Sequence, residues 1–389
     1  MIGRVHPKAS AAPRSFAQCH CPVYPHGSDH IEGFKVRLKG AATGLLPSAG
    51  DIIPLALALV VPAAAVFLVM PRYIAFLRSR GRTTSDAHKG KDVRVATPAG
   101  PLLIAALIIG EVVAWALYRS VVAPVLIVVV LSVGLVGLYD DLRGLGGVVK
   151  PGLLALIGAF VVLVEYYYPS VYDPTVYFPL LTKTGTHFII FGLIVVASIP
   201  VASNAFNMLD AFNGEISGFT AIVSGALVVA IFLSSYAIGS TSAGTVAVAL
   251  PLLGVSLAFY YFNRYPSRIF DGDSGSLTFG AMFVILSIVG GVEIAALVAL
   301  IPAVLNSYYI LSSVRGLVER KEMVARPTYL GDDGKLNAST EARAPTTLAR
   351  MILLSGPLDE RSLVSAILRV CAYAAVLSVI TSIITWLLR

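Results

Sequence analysis

Long apolar segments alternate with short polar segments from residue 51 to the end of the chain. Most of the apolar segments approach the ~20 residues that a helix needs to cross a bilayer. The pattern predicts an all-α polytopic membrane protein, residues 51–389, behind a poorly ordered N-terminal tail, residues 1–50. The ten predicted helices lie at about 52–77, 98–118, 120–138, 151–166, 187–206, 216–236, 244–262, 276–290, 292–314 and 364–388.

Composition agrees with a chain whose main solvent is lipid. It is 57% hydrophobic and only 13% charged, with a mean hydropathy of +0.81, which excludes an ordinary soluble domain. A net charge of +7 could indicate nucleic-acid binding. We interpret it instead as the basic loops and headgroup contacts of a membrane protein, and expect no nucleic-acid partner.

The distribution of lysine and arginine predicts the orientation. One alternate set of loops is rich in basic residues, whereas the opposite set holds little beyond Arg119 and Lys183. Basic loops are usually cytoplasmic, which places both termini outside, although six basic residues in the tail count against this. The predicted cytoplasmic loops are about 78–97, 139–150, 207–215, 263–275 and 315–363.

The most informative polar stretch is 263–276, between two apolar segments. Ionisable groups beside hydrocarbon are costly unless they line a wet functional cavity. Asp271 and Asp273 could bind a divalent cation, and Arg264 and Arg268 could bind phosphate.

Two glycines in the same stretch, Gly272 and Gly275, would permit a tight turn and the close approach of a ligand. We therefore predict a phosphate and metal site at the membrane surface.

Further polar side chains fall on the same predicted face. The adjacent carboxylates Asp140 and Asp141 are candidates for metal contact or base catalysis, but could equally form a solvated helix cap. Asn204 and Asn207 present amides on one helix face, for function or for helix packing. Carboxylates, amides and basic groups on one face suit phosphoryl transfer, which depends on positioning and charge neutralisation.

Four motifs agree in order and spacing with a known family. The chain resembles the polyprenyl-phosphate hexose-1-phosphate transferases, which include the dolichyl-phosphate GlcNAc-1-phosphotransferase and the bacterial phospho-MurNAc-pentapeptide translocase. The resemblance covers about 50–365. The motifs are Asp86-x-x-Lys89, Asp140-Asp141, Asn204-Ala-Phe-Asn207-Met-Leu-Asp210-x-x-Asn213-Gly214 and Arg268-Ile-Phe-Asp271-Gly-Asp273-Ser-Gly275.

The resemblance implies a role for each matched position. It implies that Asn207 and Asp273 bind Mg²⁺, with Mn²⁺ as the alternative metal, and that Asp140, Asp141 and Lys150 form the catalytic centre. The implied substrate-binding residues are Lys89, Asn204, Asp210, Asn213, Arg268, Asp271, Arg320 and Arg326.

Some features differ between branches of the family. This chain has no histidine after His187, unlike the bacterial branch with its histidine cluster. Residues 265–268 and 334–336 resemble the eukaryotic GlcNAc branch. The diphosphate arginines of that branch do not align cleanly, and Arg320 and Arg326 are the best substitutes.

The reaction implied is transfer of a HexNAc-1-phosphate, with GlcNAc as first choice, from a UDP-sugar to a polyprenyl or dolichyl phosphate. It releases UMP and starts lipid-linked glycan assembly at the cytoplasmic face of the cell membrane. Alternatives are another UDP-sugar for a surface polymer, a membrane transporter or a non-catalytic scaffold. The sequence leaves the oligomeric state open and is compatible with a homodimer.

Overall fold

The computed structural model describes residues 49–86, 93–169, 171–172, 175–176, 184–185, 188–237, 243–316 and 325–388. In these residues the helices are α1 Ala49–Ser79, α2 Gly100–Tyr118, α3 Val122–Arg143, α4 Val149–Tyr167, α5 Phe188–Leu209, α6 Glu215–Ala237, α7 Ala243–Asn263, α8 Asp273–Val289, α9 Glu293–Val314, α10 Leu348–Leu353 and α11 Glu360–Leu388. The strands are β1 Thr83–Ser85, β2 Arg94–Ala96, β3 Thr175–Val176, β4 Thr184–Gly185, β5 Thr328–Leu330 and β6 Leu336–Ala338, paired as three antiparallel hairpins.

The helices confirm the predicted all-α polytopic membrane architecture. Within the described residues, nine helices are long and apolar enough to cross a membrane, and α8 is a tenth apolar helix that is shorter. Each of the ten predicted apolar segments coincides with one of them. The predicted tail, residues 1–50, lies almost entirely outside the described residues.

Several helices extend further than the hydropathy pattern predicts, and the C-terminal extensions of two of them carry candidate residues. Helix α3 continues to Arg143 and α5 continues to Leu209, so Asp140, Asp141 and Asn207 lie in final helical turns and not in loops. Hydropathy falls where polar side chains begin, but the helical backbone hydrogen bonds continue past that point. The backbone positions of Asp140, Asp141 and Asn207 are therefore fixed by helical hydrogen bonds.

Helix α8 is the central element. Of its residues, all from Ser274 to Ile288 are buried, and it packs mainly against α3 and α5. A Cβ atom added to Gly280 would lie 2.6 Å from the backbone oxygen of Ala202 in α5. The helix has 17 residues, or ~25 Å at 1.5 Å per residue, so it is shorter than the ~30 Å hydrocarbon core.

The segment before α2 holds the loop that leads into α8. Phe270 N donates to Ala96 O at 2.9 Å, and Ala99 N donates to Phe270 O at 2.8 Å. Gly100 N then donates to Asp271 O at 2.9 Å. The loop before Asp273 is thus fixed by backbone hydrogen bonds to a segment distant in sequence.

The long predicted loop between α9 and α11 contains ordered structure. Strands β5 and β6 form a hairpin whose turn includes Asp333 and Gly334, with Gly334 at a φ of +73°, and Asp333 Oδ1 accepts from Lys335 N at 3.1 Å. The Asp-Gly pair is therefore in the tight turn that its sequence favours. Leu336 of this hairpin also pairs with Leu358, just before α11.

Glu111 and Glu165 are buried carboxyl groups of two membrane-spanning helices, and their surroundings contrast. Glu165 in α4 is a hydrogen-bonded cap, because its Oε2 accepts from Val171 N at 3.0 Å and from Tyr172 N at 3.1 Å. Glu111 in α2 is fully buried, and among the described residues no hydrogen bond reaches either of its carboxylate oxygens. Burial without a partner costs free energy.

We expect Glu111→Met and Glu165→Met to have opposite effects on stability. Glu111→Met removes an unpaired buried carboxyl group and should raise the free energy of unfolding by about 1–3 kcal/mol. Glu165→Met leaves two backbone N–H groups without their acceptor and should lower it by a similar amount. Thermal unfolding of both variants in the same detergent tests this contrast, and a Glu111→Met protein less stable than the parent would contradict it.

Candidate functional site

The centre of the site is the ammonium group of Lys150, in the first turn of α4. Its Nζ lies 2.5 Å from Asp140 Oδ2 and 2.6 Å from Asp273 Oδ2. Asp140 is in the last turn of α3 and Asp273 in the first turn of α8, so three helices meet at one cation. Asp140 Oδ1 also accepts from Leu145 N at 2.6 Å, which anchors the turn between α3 and α4.

Asn207, in the last turn of α5, completes this cluster. Its Nδ2 donates to Asp273 Oδ1 at 2.9 Å and to Ser276 Oγ at 3.0 Å. The structure therefore brings together Asp140, Lys150, Asn207 and Asp273, four residues that the sequence predicted for the reaction centre.

Asp141 has a different role from its neighbour Asp140. Its Oδ1 accepts from Asp273 N at 2.8 Å, and its Oδ2 accepts from Ser274 N at 3.0 Å and Ser274 Oγ at 2.6 Å. These are the free N–H groups of the first turn of α8, so Asp141 caps that helix from α3. A carboxylate at a helix N-terminus is also favoured by the helix dipole.

The turn before α8 depends on the glycine at 272. Gly272 has a φ of +73°, and a Cβ there would lie 2.8 Å from the carboxylate of Asp141 and 2.6 Å from Pro98 Cβ. The predicted tight turn is confirmed at this position. The expectation of a second turn residue at Gly275 is wrong, because Gly275 is helical and its missing side chain makes room for Asp271.

Asp271 is completely buried beside the carboxyl group of Asp210. Burial and the neighbouring Asp210 carboxyl raise the pKa of Asp271 well above its usual range. Two carboxylates can only accept hydrogen bonds, so contact between them is favourable when one carries a proton. Both residues are predicted substrate ligands, and this role stays a prediction; the structure shows that the two side chains are neighbours.

Two predicted substrate ligands direct their amides at protein atoms. Asn204 Nδ2 donates to Pro200 O of its own helix at 2.7 Å. Asn213 is buried, and its Nδ2 donates to Asp86 Oδ2 at 3.0 Å and to Glu360 Oε1. Neither contact tests substrate binding, but both show that these amides form hydrogen bonds within the protein.

The predicted basic ligands are placed less centrally. Arg268 is exposed, with its guanidinium carbon 4.9 Å from the centroid of the Tyr261 ring, and Arg326 is exposed just before β5. Lys89 and Arg320 lie outside the described residues.

The donor set at Lys150 fits a hard divalent cation. Asp140 and Asp273 direct carboxylate oxygens at one positive charge, and Asn207 lies against Asp273. Carboxylate and amide oxygens are the ligands that Mg²⁺ prefers, with water filling other positions. Asn207 would have to present Oδ1, and its amide orientation is set by the hydrogen-bond network around it. The candidate set contains two acids and one amide. Among the described residues, no larger group, with three or more histidine, cysteine or acidic side chains, is arranged to hold a metal ion.

Sequence reasoning missed several residues that position the site. Ser274 and Ser276 follow Asp273 by one and three residues; Ser274 Oγ donates to Asp141, and Ser276 Oγ accepts from Asn207. Gly137 in α3 lies one turn before Asp141 and allows α3 to touch α8. Glu360 is 147 residues from Asn213, so no local pattern could have indicated their contact.

We expect Gly137→Ala to separate α3 from α8. The new Cβ would lie 2.5 Å from Ser274 Cα and 2.7 Å from Asp273 O, and overpacking of this kind costs about 1–3 kcal/mol. Thermal unfolding in detergent should show that loss of stability.

The matched control is Gly152→Ala in α4, where nothing lies within 4 Å of the new Cβ. Alanine is the better helix former by about 1 kcal/mol, so this variant should be equally or more stable than the parent. A Gly137→Ala protein that unfolds with the parent would show that the contact between α3 and α8 is loose.

Residues 123–291 match the family model described as Glycosyl transferase family 4. The match includes α3, the metal-binding candidates and all of α8, and it ends before Arg326 and Glu360.

Three curated relatives are similar over a larger part of the chain. One is "Putative glycosyltransferase MJ1113" of Methanocaldococcus jannaschii, 28% identical over 299 residues, which are 77% of this chain and 87% of the relative. Another is the phospho-N-acetylmuramoyl-pentapeptide-transferase of Borreliella burgdorferi, 28% identical over 56% of this chain and 70% of the relative. The enzyme of the same name from Lacticaseibacillus paracasei is 27% identical over 58% and 72%.

These names describe the relatives. The segment that matches the family model contains Asp140, Lys150, Asn207 and Asp273, the residues that cluster in the structure. Residues 123–291 are thus similar to the glycosyl transferase family 4, and larger parts of this membrane protein are similar to proteins that are named as transferases.

Proposed function

We propose that this protein transfers a HexNAc-1-phosphate from a UDP-sugar to a polyprenyl or dolichyl phosphate. The observation that carries the proposal is the cluster of Asp140, Lys150, Asn207 and Asp273 at the ends of four membrane helices. Such a cluster combines a fixed positive charge with oxygen ligands for a metal.

In the proposed reaction an oxygen of the lipid phosphate forms a bond to the sugar-linked phosphorus of the donor. The bond between that phosphorus and the bridging oxygen of UMP breaks, UMP leaves with the bonding electron pair, and the lipid diphosphosugar remains. We assign to Lys150 the neutralisation of the phosphate charge that accumulates at the transferring phosphorus.

The hydrogen bonds of Asp140 support a role in holding positive charge. Its two oxygens already engage Leu145 N and Lys150. A phosphate monoester has a second pKa of about 6, so the acceptor is largely dianionic at neutral pH and needs little base catalysis. We therefore assign Asp140 to the binding of Lys150 and the metal, and Asp141 to the placement of Asp273.

Mg²⁺ is the proposed metal, held by Asp273 with Asn207 and Asp140 as further ligands. When bound, it supplies electrostatic stabilisation of the phosphate oxygens. Mn²⁺ has similar oxygen ligands and is the alternative.

GlcNAc is the proposed sugar, because residues 265–268 and 334–336 resemble the eukaryotic GlcNAc branch. The hairpin β5–β6 carries the second of these segments and follows Arg326, which supports a role for this region in donor recognition. The relatives named above do not distinguish between donor sugars, so the eukaryotic branch remains a prediction.

The proposed location of the site is the cytoplasmic face of the cell membrane. The loops between α3 and α4 and between α7 and α8 belong to the basic set, and UDP-sugars are polar molecules that would reach the site from water. A transporter would hold its polar ligands near the membrane midplane, whereas Asp140, Asn207 and Asp273 all occupy helix ends.

The test is UMP release by the purified protein in detergent with polyprenyl phosphate and a panel of UDP-sugars. We expect release with UDP-GlcNAc and Mg²⁺, and none in EDTA. Asp273→Asn should lower the rate by at least ~100-fold, because it removes one charge from the pair that holds Lys150 and the metal.

The matched control is Asp51→Asn in the first turn of α1, beside Tyr118 at the end of α2 that lies away from the site, which should keep the parent rate. UMP release that is unaffected by EDTA would exclude the metal assignment. Folded protein that releases no UMP from any donor would exclude the proposed transfer, and release with a different sugar would exclude only GlcNAc.

A further inference from the structure

The side chain of Asn213 connects three segments of the chain that lie far apart in sequence. Its Nδ2 donates to Asp86 Oδ2 at 3.0 Å and to Glu360 Oε1, and its Oδ1 accepts from Ser267 N at 3.2 Å. Its backbone N–H also donates to Glu360 Oε1, at 2.9 Å. Asn213, Asp86 and Glu360 are all at least 94% buried.

The chemistry of these partners determines the orientation of the amide. Two carboxylates can only accept, so they must face the NH₂ end of Asn213. Ser267 N can only donate, so it must face the oxygen. A flipped amide would oppose acceptor to acceptor and donor to donor, and this makes Asn213 a rigid three-way connection.

Glu360 joins this connection to the β5–β6 hairpin. It is the first residue of α11, two residues after Leu358. Leu336 N donates to Leu358 O at 2.8 Å, and Leu358 N donates to Leu336 O at 3.1 Å. Leu336 is buried, so strand β6 and the start of α11 form one structural unit.

Ser267 joins the connection to the metal-binding candidate. It lies in the loop between α7 and α8, six residues before Asp273. The same loop is held from its other side by the hydrogen bonds between Phe270 and the segment before α2. Displacement of Ser267 would therefore be transmitted along a short, restrained loop to Asp271 and Asp273.

We propose that Glu360 is a positioning residue, which acts through Asn213 to couple the placement of the β5–β6 hairpin to that of the loop carrying Asp271 and Asp273. This rests on the proposed function only for its effect on rate. The inference itself concerns the geometry of the free protein. Glu360 lies outside the segment that matches the family model, so the coupling links the matched segment to the region that follows it.

Hydrogen–deuterium exchange of the full-length protein tests the coupling without any assay of activity. Glu360→Ala removes the acceptor of two buried N–H groups, and Glu360→Asp withdraws it by about one C–C bond, ~1.5 Å. In both variants we expect at least tenfold faster exchange in two regions, residues 263–272 and 328–338. Exchange in the middle of α7, far from these contacts, should not change.

Two further variants separate positioning from general stability. Glu360→Gln keeps an oxygen acceptor at the same reach and should restore slow exchange, and Arg361→Ala changes the exposed neighbouring side chain and should match the parent. Faster exchange confined to the first turn of α11, or equally faster throughout the chain, would overturn the coupling. Failure of Glu360→Gln to restore slow exchange would also overturn it.

Rate measurements then connect the coupling to the reaction. With UMP release as the assay, Glu360→Ala and Glu360→Asp should lower kcat about tenfold and raise the Mg²⁺ concentration for half-maximal rate, because misplacement of catalytic groups is costly. Glu360→Gln should stay within twofold of the parent. A parent protein without transferase activity would refute the proposed function, and the exchange experiment would still decide the coupling.

Discussion

The capping of α8 by Asp141 is the interaction on which the site depends. A helix that begins inside a protein leaves N–H groups that must be satisfied, and a carboxylate from α3 accepts two of them together with the hydroxyl of Ser274. The cap fixes the end of α3 against the start of α8. Asp140, the preceding residue in α3, is thereby brought to the same ammonium group as Asp273.

Adjacent carboxylates in a sequence are easily assumed to share one task. Successive residues on a helix point about 100° apart, so Asp140 and Asp141 cannot both face the same cation at the same distance. One faces Lys150 and the other faces the backbone of α8. The two acids of the motif therefore have different roles: Asp140 contributes charge to the site, and Asp141 holds the start of α8 in place.

Much of the fold was predictable because lipid imposes a simple rule on the chain. Every spanning backbone must satisfy its own hydrogen bonds, so an apolar segment of sufficient length is a helix, and all ten apolar segments proved helical. Helix ends were less predictable, because the rule no longer applies once side chains reach water or a polar site. The predicted apolar segments ended before Asp140, Asp141 and Asn207 for this reason, although all three residues lie in helices.

Part of the site could be predicted from residue types and spacing. The stretch 263–276 combines aspartates, glycines and arginines between two apolar segments, and this indicated a site that includes Asp273. The family resemblance added Lys150 and Asn207 to the same predicted site. The contacts of Asn204 with its own helix and of Asn213 with Glu360 depend on tertiary packing. A buried amide and a surface amide look alike in a sequence, so this part required the structure.

The position of Glu360 at the start of the last long helix has a consequence for how the protein is made. A membrane protein is synthesised from its N-terminus, and early segments can pack before later ones exist. Asn213 cannot obtain its Glu360 acceptor until the ribosome has produced α11, long after the helices bearing Asp140 and Asp273. The nascent chain thus lacks this contact of the candidate site while the helices around the site are already made, and synthesis of α11 is the step that supplies it.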